Sequence, residues 1–373
     1  MSRELSFPGF VDVHVHFRDP GVPEAETTQS GLAAARRGGF AAVVTMPNTS
    51  PAIDSPALVK AQIAKRDAWA KAHGPAPLLF PSACITRGRL GREVAALEAL
   101  AEAGAAFFTD DGSYVSDDRV MEEAMRRAAA LGLVVCDHAL DPAIVAGGVI
   151  RDCPLSRSRG LAVIPAEAEA AAVRRDISLC RTTGCRLHIQ HISTAQGVSL
   201  VIDAQREGLP VTAEATPHHL MFSCEALTDD DANFKMAPPL GNDEDRAALR
   251  EAVKGGRLMF ATDHAPHPAA TKSRGFAKSA NGITGLETAL AATWSVMVEE
   301  EGMDPIAWAR AWSAMPRDLL PEACRRAMDA GGCRTHVSVG ERWRVEADAF
   351  ASLSTNSPYI GMEFDLAARI EQN

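Results

Sequence analysis

Two histidines, His14 and His16, close a short apolar run that reads Val11-Asp12-Val13-His14-Val15-His16. In an extended chain, residues two apart point to the same side, so a strand here would present both imidazoles on one face. A single interior histidine is more often a satisfied core residue. A His-x-His pair ending a buried strand suits a metal ion better. Four further runs end in histidine or aspartate: Thr109-Asp110-Asp111-Gly112, Cys136-Asp137-His138, His188-Ile189-Gln190-His191 and Ala261-Thr262-Asp263-His264-Ala265-Pro266-His267. Within them the residues leave choices open. His188 and His191 have opposite parity, so a regular strand faces only one of them inward, and one aspartate of the Asp110-Asp111 pair could simply cap a turn. Imidazole and carboxylate donors without thiolate suit Zn²⁺, with Mn²⁺, Co²⁺ or Fe²⁺ as alternatives. Six such ligands exceed what one tetrahedral ion needs. Two ions about 3.5–4 Å apart, sharing a carboxylate and a hydroxide, would use them all.

The elements that must position these groups repeat along the chain as a short apolar strand, a polar turn and an Ala-rich helix. Strands are predicted at 10–17, 41–46, 78–85, 105–109, 133–136, 186–191, 210–214 and 258–262. They are rich in Val, Ile, Phe and Leu, as strands buried on both faces should be. Helices are predicted at 30–37, 55–72, 93–103, 117–130, 166–182, 195–207 and 244–254, several closed by glycine. Alternating strands and helices imply parallel pairing through right-handed crossovers. Eight such units fit a (β/α)8 TIM barrel, whose active sites sit at the C-terminal ends of the strands. An open doubly wound sheet would usually offer a Gly-rich phosphate turn after its first strand, and none is present. Long loops at 139–164 and 216–242 point to function at this face. Residues 1–332 are read as the barrel with its terminal helices, and 333–373 as a short, irregular C-terminal tail.

The 373 residues are 46% apolar and 23% charged, the balance of a globular protein. A net charge of −10 excludes a basic nucleic-acid face. No run reaches the roughly 18 apolar residues of a membrane span, and residues 1–10 carry no signal-peptide h-region, so a cytoplasmic protein is expected. None of the eight cysteines forms a Cys-x-x-Cys pair; buried reduced thiols are the expectation.

Longer motifs are more specific. The stretch Pro8-Gly9-Phe10-Val11-Asp12-Val13-His14-Val15-His16-Phe17-Arg18-Asp19-Pro20-Gly21 resembles the opening signature of the dihydroorotases. Met46-Pro47-Asn48-Thr49, Phe108-Thr109-Asp110-Asp111-Gly112, His191-Ile192-Ser193-Thr194, Ala261-Thr262-Asp263-His264-Ala265-Pro266-His267 and Gly285-Leu286-Glu287-Thr288 continue the resemblance in order, over roughly residues 8–315. It implies reversible cyclisation of N-carbamoyl-L-aspartate to L-dihydroorotate in pyrimidine synthesis. It implies His14, His16 and Asp263 on one ion, His138 and His191 on the other, and Asp111 on both; the choice of Asp111 over Asp110 comes from family position. A hydroxide between the two cations would attack the ring amide, with Asp263 moving the proton to the leaving nitrogen. Many relatives bridge the ions with a carboxylated lysine. This chain has no lysine between Lys71 and Lys235, which fits the bacterial branch bridged by aspartate. Arg18, Asn48 and His267 resemble the family's clamp on the substrate carboxylate, and the family's ring-contacting positions fall at Ala237, Asn281 and Gly282.

Four positions depart from the family pattern. Ala237 stands where asparagine is usual, Gly241 where arginine is, Asn281 where an aromatic residue is, and Leu140 replaces an acidic residue. The family's small β-sandwich is expected to lack its N-terminal half and to survive only as a shortened remnant in the tail. Two other readings stand beside dihydroorotase: an amidohydrolase for another cyclic amide or ureido acid, and a non-catalytic dihydroorotase-like subunit of aspartate transcarbamoylase. Retention of all six ligands counts against the latter. A homo-oligomer, by default a dimer, is the expected assembly.

Overall fold

The computed structural model describes residues 3–74 and 76–372. Seven parallel strands form most of a ring. Strands β2 (Phe10–Val15), β3 (Phe40–Thr45) and β4 (Leu78–Pro81) pair in order, as do β5 (Val134–Asp137), β6 (Arg186–Ile189), β7 (Val211–Ala215) and β8 (Met259–Phe260); β1 (Arg3–Pro8) lies outside the ring. Two seams join these sheets. At one, Phe108 bridges Ala83 beyond β4 and Val135 in β5; at the other, His264 bridges Val15. The arrangement is a (β/α)8 barrel, with helices such as Thr28–Arg37, Pro56–His73, Glu167–Thr183 and Ala195–Arg206 in the crossovers.

The expected strand at 105–109 fills the remaining place in the ring: Ala106 and Thr109 donate to Pro81 O and Ala83 O, Phe107 O accepts from Ala83, and Phe108 exchanges bonds with Val134 and Cys136. Its lead-in, Gly104-Ala105-Ala106, has low strand propensity, and Phe108 alone bridges both neighbours. At the second seam a side chain reinforces the backbone bond from His16 N to His264 O at 2.8 Å. Asp12 accepts from the Thr262 amide at 3.0 Å and its hydroxyl at 2.5 Å, tying the first barrel strand to the last. Burial pushes the Asp12 carboxyl up to about 7.

Aromatic rings pack helix Pro305–Trp312 against the barrel strands. Trp312 lies 5.3 Å from Phe40 and 5.0 Å from Phe260, and Trp308 lies 5.3 Å from Phe10. Both indole N–H groups donate to the Thr293 hydroxyl at 3.1 Å, so neither leaves a buried donor unpaired.

The tail is more ordered than its sequence suggested. β9 (Cys333–Arg344) and β10 (Glu363–Gln372) pair antiparallel, and β1 (Arg3–Pro8) adds to the other edge of β9, giving the order β1-β9-β10. Residues 3–8 therefore belong to this sheet. The N-terminal part of the small β unit, expected to be missing, is present as one strand, because residues 3–8 alternate in burial and find a free edge on β9. All eight cysteines are free thiols, seven of them buried. Among the described residues, no helix is long and apolar enough to cross a membrane.

Candidate metal centre

The strand ends bring His14, His16, Asp111, His138, His191 and Asp263 together at the mouth of the barrel, all buried. His14 Nε2 lies 3.4 Å from Asp111 Oδ1 and 3.5 Å from Asp263 Oδ1. His16 Nε2 lies 3.0 Å from Asp263 Oδ1 and 3.4 Å from Asp111 Oδ2. On the other side, Asp111 Oδ1 is 3.5 Å from His191 Nε2 and 3.6 Å from His138 Nδ1, and those two nitrogens are 2.8 Å apart. Asp111 is thus central, with one oxygen toward His138 and His191 and the other toward His16. Asp110, its neighbour, turns away to bind the Thr86 amide and hydroxyl.

Two geometric devices aim these groups. The first is backbone conformation. Arg18, His191 and Asp263 have φ of 47°, 32° and 48°, a left-handed region that disfavours residues with a Cβ. This break lets both histidines of the sixth strand point inward, against the parity expectation. His188 lies within β6 and binds Glu214 one layer below, whereas His191 lies past the strand end and swings into the mouth. The second device fixes tautomers. A carboxylate only accepts, so His14 Nδ1–H donates to Glu214 Oε1 at 2.5 Å, leaving Nε2 aimed at the site. His16 Nδ1 is likewise held by Asn48 Oδ1 at 2.8 Å.

The donor set fits metal ions. His14 Nε2 and Asp111 Oδ1 are buried without hydrogen-bond partners, which is costly unless a cation meets them. Within each of two overlapping sets, His14–Asp111–His191 and His14–His16–Asp263, the ligand atoms lie within 4.8 Å of one another. Burial alone would raise both aspartates, but the His14 charge, the imidazoles crowded round Asp111 and the His16 hydrogen bond to Asp263 hold the two well below the usual carboxylate range.

Above this floor lies a cavity of about 210 Å³, lined by His16, Arg18, Asn48, Asp111, Gly112, His138, His191, Ala237, Asp263, Ala265, His267, Asn281 and Gly282. Larger cavities of about 450 and 360 Å³ lie elsewhere and include none of the clustered histidines or aspartates. Arg18 Nε donates to the Pro266 carbonyl at 3.1 Å, and its guanidinium lies 3.4 Å from His267 Nε2. Burial, then the Arg18 charge, pulls His267 down to about 3, so this imidazole is neutral and gives its Nε2–H to Asn281 O at 2.7 Å. Asn48 is occupied beneath the cavity, bonding His16 and donating to Asp111 Oδ2 at 3.2 Å. Gly241 has no room for the family's arginine: a Cβ there would meet Asp245 Cβ at 2.5 Å and Ser193 O at 2.9 Å. Leu140 is buried against Ile164 and Ala168, in a small cluster apart from the main core.

Sequence reasoning passed over three supporting residues. Glu214 was read only as a strand end. An ionisable residue closing a doubly buried strand, in parity with Thr212, was the signal. Arg89 reaches in from the 86–94 loop and donates to Asp111 O at 2.5 Å and Ser113 Oγ at 2.9 Å. His218, buried with its Nε2 unpartnered, is pulled down to about 4 by burial.

Barrel and site together define an amidohydrolase-type (β/α)8 protein with an imidazole–carboxylate centre. The family model described as Dihydro-orotase-like matches residues 4–197. A dihydroorotase of Deinococcus radiodurans is 44% identical over 300 residues, covering 80% of this chain and 71% of that protein. One of Bacillus caldolyticus is 39% identical over 364 residues, covering 96% and 83%. The solved L-hydantoinase (dihydropyrimidinase) of Arthrobacter aurescens superposes with a TM-score of 0.79 at 23% identity, covering 98% of this chain and 83% of that one; at that identity it shares the fold. The chain belongs to the dihydroorotase family.

Glu214→Gln should weaken binding of added zinc roughly 10–100-fold, because the partner orienting His14, a candidate ligand, is impaired. Metal content after competition with a graded chelator measures it. Wild-type retention would mean that Glu214 does not orient His14.

Proposed function

We propose that this chain is a metal-dependent dihydroorotase that interconverts L-dihydroorotate and N-carbamoyl-L-aspartate. One observation carries the reading: in a member of this family, four histidine side chains converge on Asp111, two of them shared with Asp263, beneath a small cavity rimmed by Arg18. Two Zn²⁺ ions are the proposed occupancy, one on His14, His16 and Asp263 and one on His138 and His191, with Asp111 shared. Bound there, the ions supply Lewis-acid activation of water and of the amide carbonyl.

The chain's own groups do the rest. Asp263 is ionised despite its burial, so it can accept the proton of the attacking water and deliver it to the leaving ring nitrogen. Cyclisation runs the same transfer backwards. Arg18 offers a planar fork to the substrate carboxylate, and burial lowers it only to about 10, so it stays cationic at neutral pH. A substrate carboxylate competes with Asn281 O for the His267 Nε2–H. Asn48 shares its amide with Asp111, so its contact with substrate is coupled to the orientation of a ligand. Ala237 and Asn281 form the wall toward the ring. Gly282 keeps that wall close, because at φ +119° a Cβ would meet Ala265 Cβ at 2.5 Å.

Hydrolysis of L-dihydroorotate, followed by its ultraviolet absorbance, should disappear after chelation and return with zinc. Metal-loaded protein without that activity would end the proposal and favour another cyclic amide, the reading to which the altered wall at Ala237 and Asn281 lends support. Asp263→Asn should abolish turnover while leaving the circular dichroism spectrum unchanged; an undiminished rate would remove Asp263 from the proton path. Ala237→Asn should lower the Michaelis constant for dihydroorotate, since one regained hydrogen bond contributes about 0.5–1.5 kcal/mol. An unaltered constant would mean that this position does not contact the ring.

A further inference from the structure

Two lysines lie buried side by side behind the wall of the site. Among the described residues neither has a carboxylate partner within ion-pair distance. Lys235 Nζ donates to the carbonyls of Ala277 at 2.9 Å and Ser279 at 2.8 Å. Lys272 Nζ donates to the carbonyls of Lys235 at 3.2 Å, Ala280 at 3.0 Å and Gly282 at 2.8 Å. Four of these five acceptors come from 277–282, so this segment is wrapped around two ammonium groups. The Gly282 amide closes the wrap by donating to Lys235 O at 2.9 Å.

The wrapped segment is also the wall of the cavity. Asn281 O takes the Nε2–H of His267, and His267 stands against Arg18. Moving the Ala280–Gly282 backbone would therefore move the ring that flanks the guanidinium. Burying two cations together is costly, and apolar side chains of similar volume would fill such a space at less cost to stability. Burial, then the Lys235 charge, pulls Lys272 down to about 7 against a weaker opposing pull from Asp231. What apolar side chains could not supply is a set of donors that holds several carbonyls in one orientation.

We infer that Lys272 is a positioning residue for the end of the site that receives the substrate carboxylate, acting through the Ala280 and Gly282 carbonyls on Asn281 and His267. The inference rests on the dihydroorotase reading of that site. It assigns Lys272 to substrate binding and not to metal binding or proton transfer.

The test compares full-length, zinc-loaded wild type with Lys272→Met, which removes all donors, and Lys272→Gln, which keeps two. Steady-state kinetics with L-dihydroorotate, calorimetric binding of orotate, metal content and amide exchange at Gly282 are measured on each. Lys272→Met should raise KM and weaken orotate binding by about tenfold, with kcat changed by less than about threefold. Bound metal should be unchanged and Gly282 exchange faster, with Lys272→Gln lying between. An active wild type whose KM and orotate affinity are unaltered in Lys272→Met overturns this inference alone. So does a loss confined to kcat or metal content, and so does failure of both variants to fold, which would place Lys272 in folding. A metal-loaded wild type inactive on dihydroorotate overturns the functional reading and this inference with it.

Discussion

Glu214 is the constraint on which the floor of the site depends. It lies on β7, buried, and it receives three donors: His14 Nδ1 at 2.5 Å, His188 Nε2 at 2.9 Å and the His191 amide at 3.2 Å. These come from the first and sixth barrel strands and from the turn after the sixth, so one carboxylate ties three parts of the ring together. An isolated buried carboxylate would give up its charge. Here burial is outweighed by His14 and His188, which hold Glu214 at about 2. Hydrogen bonds to a charged group contribute about 1.5–3 kcal/mol each, enough together to keep the anion in a position no solvent reaches. The consequence for His14 is directional. Its Nδ1 proton is committed downward, and its Nε2 faces upward into the site.

The same economy of direction explains the three left-handed residues. Each such conformation costs of order 1–3 kcal/mol and persists only where its surroundings over-determine it. His191 is over-determined by the bond from its amide to Glu214 Oε1. Asp263 follows Thr262, which Asp12 anchors through both amide and hydroxyl. Arg18 is held by the Pro266 carbonyl. The left-handed residues at the ends of the first, sixth and last barrel strands are thus fixed to the ring beneath them, and the ligand cluster inherits the rigidity of the barrel.

Much of this was legible in the sequence because it is periodic. The strand–helix alternation and the parity of His14 and His16 follow from repeat lengths of two and about 3.6 residues, and the predicted helices fall within a few residues of those observed. The losses come where periodicity ends. The parity rule fails at His191 because a left-handed residue is not part of a strand. β1 pairs with β9 at the opposite end of the chain, so its membership of the terminal sheet was hidden. Glu214 and Asn48 act through side-chain bonds to residues far away in sequence, and Lys272 acts through backbone carbonyls of a folded loop; such pairings are set by topology. Family resemblance supplied the choice between Asp110 and Asp111, which local spacing could not make; the structure turns Asp110 toward Thr86 and Asp111 toward the histidines.

The chain is acidic, with a net charge of −10, yet the proposed substrate is an anion. Net charge and local field are separate quantities. The floor of the cavity holds two ionised aspartates, Asp111 and Asp263, with Glu214 beneath them. Against these stand Arg18 at the rim and Arg89 behind Asp111. His14 adds a third positive charge: against the pull of burial, Glu214, Asp111 and Asp263 raise it well above the ordinary histidine value. Anions and cations on the floor therefore roughly cancel, which leaves little to attract a dianionic ureido acid. Two divalent cations on the six ligands would replace that imidazole proton with a larger positive charge at the same place. In this reading the ions would do more than activate water. They would turn a balanced floor into one that draws in an anionic substrate, which couples occupancy of the centre to binding before any bond is made or broken.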